Sequence, residues 1–510
     1  MRDMLIPGLP MFHDSNPHVS RAIAYHSAIE DGQFPPMWAR EVLGGIGSPV
    51  LMLNYQLPYA LGELWHRLGL SYFDSYKLTL GLSFVVAGAL MYLALRSKIG
   101  WAGAWVGALL YSLAPYRFVD IFVRGALGES LSFVFAPLLI WGYSKSSTPL
   151  LVLGWVGLFL THPVASAAFS IFFLGYSLVM KQKFRWGAYA IALLIAAFNL
   201  LPTLALTKYT YYSPTLSDTL LMFPSLSQLI HSPWGYGVSL PGNGDGMSFE
   251  IGIIGWGVIL WGLVMAIRRG NTLLSYLSAS VMLSLFFILP ISLPIYRWGL
   301  GNMIDFPWRL LMCIVFGTAW MGAEIVNQLT NKPIQKSVMI GVTSILILLA
   351  VPMAHTDKYW DKPLSWFASE TGDSYGEYAP LTRATRDSAP FGKRAEFVQG
   401  SGVVELLNDR SNYKLIRVVS EEGGTVRINT AFFPGWIIPA NCSVSTKTLS
   451  HIDDSGLIIC IVPKGESQLE IKFEAPPVQR LGIMLTWAGI GLFLWILYRS
   501  FCLRTTKPRR

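Results

Sequence analysis

The chain has 510 residues, of which 53% are hydrophobic and only 14% charged. A soluble domain carries about 25% charged residues, so the composition excludes an ordinary soluble enzyme and points to a membrane protein. The net charge of +9 does not imply a nucleic-acid partner: the basic residues sit in short loops between apolar runs, and no nucleic-acid-binding motif is present. Four cysteines exclude a disulfide-rich scaffold. Residues 1–10 are too short for an h-region with a cleavage site, so no secretory signal is expected before the first polar loop.

The first polar stretch, Phe12 to Arg21, packs two histidines, an acid and a base into ten residues. Asn16 followed by Pro17 predicts a helix start, an N-cap with proline at the first helical position, and Gly32 its stop. On that helix His18, Arg21 and Tyr25 lie close together. Asp14 precedes the helix N-terminus, where the dipole favours a carboxylate. Next to His13 it is either a general base or metal ligand, or a second capping residue.

A span needs roughly 20 apolar residues. About eleven stretches qualify or come near: 76–95, 102–116, 131–143, 150–160, 165–180, 186–206, 251–267, 272–291, 308–326, 337–352 and 481–498. Alternating sides along this series puts Arg96/Lys98, Lys145, Lys181/Lys183/Arg185, Arg268/Arg269, Lys332/Lys336 and the C-terminal Arg/Lys cluster on one side, cytoplasmic by the charge rule. The other side receives residues 1–75, the 117–130 loop, His162, the 208–250 loop, the 297–309 loop and residues 354–478. The expected division is a first extracytoplasmic loop with an amphipathic helix (1–75), a multi-span domain (76–353), an extracytoplasmic β-rich domain (354–478), and a last helix with a basic cytoplasmic tail (479–510). In the β-rich part, period-two alternation at 425–433, 456–462 and 468–473, broken by Gly and Pro turns, predicts a small β-sandwich over about 390–475. Cys442 and Cys460 fall inside it, either bridged, as an oxidising compartment permits, or free in the core.

Charged residues gather at the expected outer edge. Arg117, Asp120, Arg124 and Glu129 lie between two spans, where charge is costly and is either functional or paired. Arginine suits a phosphate, although Arg124 and Glu129 can equally pair with each other. His162 interrupts an apolar run with Pro163, as a substrate contact or as a cap between two half-spans. Arg309, about one turn into hydrocarbon, either binds phosphate or pairs with Asp305. The aromatic run from Lys208 to Tyr212 suits sugar faces or a membrane-interface belt, and the belt is the expectation. Residues 243–246, Asn-Gly-Asp-Gly, lack the rest of a calcium loop. No Walker, Rossmann, HExxH or GxSxG pattern occurs, which leaves a cytosolic nucleotide-driven mechanism without support.

Together these residues resemble the GT-C superfamily of membrane glycosyltransferases. The similarity is strongest to the bacterial and archaeal membrane proteins labelled "6-pyruvoyl-tetrahydropterin synthase-related domain", a label that is not evidence of pterin chemistry. It rests on His13-Asp14 and the following helix, Gly32 to Trp38, Ser112 to Arg117, Arg124 to Glu129, Phe306 to Arg309, Glu377 to Pro380 and Phe433 to Trp436. The resemblance implies an α-helical polytopic membrane fold, and transfer of a hexose or pentose from a polyprenyl-phosphate-type donor to a glycan, glycolipid or protein acceptor at the extracytoplasmic face of the plasma membrane. It implies that Asp14 is the catalytic base or holds a divalent Mg or Mn ion, that Arg124 or Arg309 stabilises the departing phosphate, and that His13, Glu129 and His162 bind substrate, with His18, Arg21, Asp120 and Asp305 supporting. The family usually carries a span before the aspartate loop, where this chain has ten residues. The rival expectation is a non-catalytic member, a lipid-linked sugar flippase or an envelope-assembly factor.

Overall fold

The computed structural model describes residues 2–212, 222–239, 246–368, 378–381, 393–444 and 456–505. Glu377, residues 243–245 and the tail from 506 lie outside these. The fold is mostly helical, with apolar helices and one small β domain placed before the last helix.

The helix after Asp14 is α1 (Ser15–Glu30). Asn16 falls inside it, and Asp14 takes the N-cap position instead. The remaining helices that matter here are α2 (Leu57–Arg67), α3 (Tyr72–Arg96), α4 (Trp101–Ser112), α5 (Leu127–Lys145), α6 (Thr148–Thr161), α7 (Pro163–Val179), α8 (Trp186–Ile195), α9 (Ala197–Leu206), α10 (Ile253–Arg269), α11 (Thr272–Ile288), α12 (Leu311–Asn327), α13 (Lys332–Ala350) and α14 (Pro477–Thr505). Every apolar stretch of the sequence is therefore helical.

Among the described residues four helices are long and apolar enough to cross a membrane alone: Tyr72–Arg96, Pro307–Asn327, Lys332–Met353 and Pro477–Ser500. Three pairs bent by 48°, 73° and 77° raise the number to seven. The difference from eleven has a geometric reason. At about 1.5 Å rise per residue, α6, α7 and α10 fall short of a hydrocarbon core about 30 Å thick, and α5, at 19 residues, is the fourth stretch outside the count of seven. The last two of the four spans turn most of their apolar surface outward, which is stable against lipid and not against water.

The bundle is built around α12, which is buried along most of its length. Its partner α4 approaches through Gly103 and Gly107. A Cβ at these positions would stand 2.5 Å from Ala323 O and 2.8 Å from Ala319 O, so small residues set the spacing of this helix pair.

The β domain is one antiparallel sheet, not the two-sheet sandwich expected from the sequence. Its strands are β1 (Ala395–Arg410), β2 (Tyr413–Ala431), β3 (Trp436–Ile437), β4 (Cys442–Val444), β5 (Leu457–Val462) and β6 (Gly465–Phe473), in the order β3-β6-β2-β5-β4 with β1 also on β2. The reason lies in the length of β1 and β2. Both run on through register shifts near Gly400–Gly402 instead of ending there, so β6 and β5 pair with successive halves of one strand. Alternate residues, Ile416 and Val418 then Val426 and Ile428, enter one core. Cys442 pairs across from Cys460, and the two are bridged.

That core also contains the first loop. Trp38, fully buried, packs edge-on to Trp436 at 5.3 Å and against Phe473 at 5.3 Å. Gln33 accepts from the Met37 and Trp38 amides and donates to Ser411 Oγ at 2.7 Å. Ala431 N donates to Ile46 O, and Ser411 N to Asp31 Oδ2. Two motifs far apart in sequence, Gly32 to Trp38 and Phe433 to Trp436, thus face each other.

The bridge closes a loop between residues 18 apart, which constrains the unfolded chain by about 3 kcal/mol. The Cys442→Ser/Cys460→Ser double variant should lose about that much stability, and its urea midpoint should become insensitive to reductant. An unchanged midpoint would contradict a stabilising bridge.

Candidate functional site

Asp14 and Arg124 are tied together by the backbone. His13 N donates to Val123 O at 3.1 Å and Asp14 N to Arg124 O at 2.9 Å, so the residues before α1 run along the end of the turn that carries Arg124. That turn, Val119–Arg124, is π-helical, and it stops at Gly125 with φ +65°. A Cβ on Gly125 would stand 2.1 Å from Tyr76 Oη and 2.8 Å from Phe12 Cβ. Only glycine suits both the left-handed backbone and the close approach. Tyr76 then donates to Gly125 O at 2.7 Å. On the other flank Trp360 Nε1 donates to Ser15 Oγ at 3.0 Å.

The charged residues form one cluster. Arg124 Nη1 donates to Asp120 Oδ1 at 2.6 Å and to Glu129 Oε2 at 2.7 Å. Both carboxylates are buried. Glu129, in the first turn of α5, also accepts from Tyr116 Oη. Its Oε2 lies 3.8 Å from Arg309 Nε and 3.9 Å from His162 Nε2. Arg309 Nη1 donates to Asp305 Oδ1 at 2.5 Å, while its buried Nε has no hydrogen-bond partner among the described residues. The guanidinium of Arg124 sits 4.5 Å over the Trp308 ring, and that of Arg309 4.7 Å over Phe306. Breaking one member of such a buried pair is costly because it strands the other charge. Arg117 is a different case. It lies against Phe133 at 4.1 Å with no hydrogen-bond partner for its three nitrogens among the described residues.

A cavity of about 450 Å³ brings the sequence candidates together: His13, Asp14, His18, Arg21, Arg124, Glu129, His162, Asp305 and Arg309 all line it. Asp120 does not line it and stands behind Arg124. Each histidine has a fixed role. His13 Nε2 meets Tyr236 O at 3.1 Å. His162 Nδ1 accepts from Ala165 N at 3.3 Å, capping α7, which is the capping role the sequence left open. His18 Nδ1 lies 3.0 Å from Tyr59 Oη among the Tyr55, Tyr59 and Tyr76 rings. Burial pushes its pKa down to about 4, against the opposing pull of Asp14, so it is neutral at physiological pH.

Asp14 sits at the N-cap position, yet its side chain makes no capping hydrogen bond. Glu129 and Asp305 are committed to arginines. Asp14 carries no ion pair among the described residues, unlike Glu129 and Asp305 in the same cavity. No group of three or more His, Cys, Asp or Glu is arranged to hold a metal among the described residues.

Sequence reasoning missed Asn54, Tyr55 and Tyr378 in the cavity wall. The sequence signal at the first two is the short polar run Asn54-Tyr55-Gln56 between apolar segments. Tyr212, from the aromatic run after Lys208, lines the cavity too. A second cavity, of about 860 Å³ and largely apolar, lies between α4, α10, α12 and α13. The two share a wall: Tyr116 lines the apolar cavity while its hydroxyl reaches Glu129, and Met247 and Ser248 face opposite sides.

No family model and no curated protein matches the chain. Among solved structures it is similar to the cryo-EM structure of the arabinofuranosyltransferase AftD from Mycobacteria, with a TM-score of 0.44 and 16% identity, covering 69% of this chain and 25% of that one. The chain spans about a quarter of that protein's length.

Between about pH 6.5, the ordinary histidine value, and about 4, the unfolded chain binds a proton that the folded chain excludes at His18. Stability therefore falls as pH drops through that window, by about 3 kcal/mol if the shift is fully expressed. His18→Gln should flatten the melting-temperature profile of the detergent-solubilised protein between pH 7 and 4. Parallel profiles would remove His18 as the cause.

Proposed function

We propose that the protein is a GT-C-type glycosyltransferase, transferring a sugar from a polyprenyl-phosphate-type donor to an acceptor hydroxyl, with Asp14 as general base. The observation that carries this reading is the Asp14 carboxylate, at an N-cap position without capping and held by backbone bonds beside Arg124 in a polar cavity. In the reaction Asp14 takes the acceptor proton as the acceptor oxygen bonds to the anomeric carbon. The bond from that carbon to the phosphate oxygen breaks, its electron pair leaves on the phosphate, and the configuration inverts. Arg309, whose Nε lacks a hydrogen-bond partner among the described residues, takes the developing charge with Arg124 behind it, as electrostatic stabilisation requires. The neighbouring apolar cavity gives the carrier chain a place beside the phosphate site.

The same reading places the cavity and the β domain on the extracytoplasmic face, because the short loops at the opposite ends of the helices carry the excess of Lys and Arg. It keeps the chain within the "6-pyruvoyl-tetrahydropterin synthase-related domain" membrane proteins by motif order. Polar groups gathered in one cavity favour the enzyme over a flippase, whose polar residues would line a path through the midplane.

Asp14→Asn should abolish transfer of radiolabelled sugar from lipid-linked donor, by roughly 10²-fold or more, with expression and melting temperature unchanged. Full activity in this variant would remove the catalytic assignment. For the topology, a reporter active only in the cytoplasm should be silent at Gly423 and active when fused after Arg510, and the reverse pattern would move the site to the other face.

A further inference from the structure

Tyr212 and Tyr378 stack face to face, with ring centroids 4.8 Å apart and planes within 5°. The backbone enforces the pairing. Thr210 bridges Pro380, Tyr211 N donates to Ala379 O and Leu381 N to Tyr209 O, so the two tyrosines extend a short antiparallel ribbon. Ser48 Oγ donates to Tyr378 O at 3.1 Å and anchors the ribbon to the first loop. Both rings line the polar cavity. Tyr378 is 8% exposed and Tyr212 39%, so the buried ring backs the exposed one.

We infer that the Tyr212–Tyr378 stack is a saccharide platform: the exposed face of Tyr212 receives the apolar C–H face of a sugar ring, either of the acceptor or of the donor. This rests on the transferase reading for the role of that sugar. The chemistry fits. A sugar presents one face of C–H bonds and a rim of hydroxyls, which call for a rigid aromatic surface beside a few convergent polar groups. Asn54, Arg21 and Ser239 supply polar groups in the same wall. An organic cation is the other ligand of an aromatic face. Arg309 lines the same cavity, and its guanidinium opposes a second positive charge there.

The test uses the full-length protein in nanodiscs and saturation-transfer difference NMR. The probes are free linear trisaccharides of hexopyranose and of pentofuranose units, polyprenyl phosphate with and without a sugar, and tetramethylammonium. The wild type should show transfer to ring C–H protons of at least one saccharide. Tyr212→Ala should weaken it about tenfold, while Tyr212→Phe and Tyr212→Trp retain it. A loss confined to sugar-loaded lipid assigns the platform to the donor, and a loss with free trisaccharides assigns it to the acceptor. The inference is overturned if no saccharide gives a signal, if Tyr212→Phe loses binding as fully as Tyr212→Ala, or if only tetramethylammonium depends on Tyr212. Tyr212-dependent saccharide binding without sugar transfer would overturn the transferase reading and leave the platform. Transfer with an unchanged KM in Tyr212→Ala would overturn the platform and leave the transferase.

Discussion

Arg124 between Asp120 and Glu129 is the interaction on which the rest depends. Three ionisable side chains are buried there at the edge of an apolar bundle, where an ion left alone would cost several kcal/mol. Mutual pairing makes their burial tolerable and fixes their geometry. Because Arg124 cannot shift without stranding both acids, the carbonyl behind it becomes a rigid point, and Asp14 hangs from that carbonyl. The acid that does the proposed chemistry is therefore positioned by a charge cluster in which it takes no ion-pairing part.

The arrangement separates two roles that the sequence could not. Paired arginines are poor phosphate ligands, since substrate must compete with a carboxylate already in place. Arg124 is held by two acids and Arg309 by one at hydrogen-bond distance. In the proposed mechanism Arg309, with the single acid partner, takes the phosphate charge, and Arg124 holds the scaffold. Neither residue's position in the chain distinguishes them.

Much of this was legible from residue types alone. Charges in apolar surroundings marked Arg124, Glu129 and Arg309, and hydropathy marked the long apolar helices, though not the Leu57–Arg67 helix. What failed to show were features set by three-dimensional closure. Nothing in Asn16-Pro17 says that the helix begins two residues earlier, because the start is fixed by the contact with Val123 and Arg124. Alternation correctly found strands in the β domain, but period-two patterns say nothing about whether two halves share one long strand, so one sheet was read as two. Tyr378 lies in a linker with no periodic signal, and it reaches the cavity only through its ribbon with Tyr212. Local pattern reports what a segment prefers; a site assembled from many separate segments depends on contacts that no segment carries.

The β domain is continuous with the first loop. Trp38 fills the sheet's own core, Gln33 and Asp31 bond to Ser411, and the ribbon at Tyr209–Leu381 runs from the end of the helical bundle into the linker. Contacts therefore cross the compositional boundary near residue 353 in both directions. Neither half is a self-contained cassette: a bundle cut free of the sheet loses the partner of its first loop, and a transplanted sheet arrives with a tryptophan-sized hole. Because the two parts share one core, insertions are better tolerated at the sheet's far hairpins than anywhere along the seam.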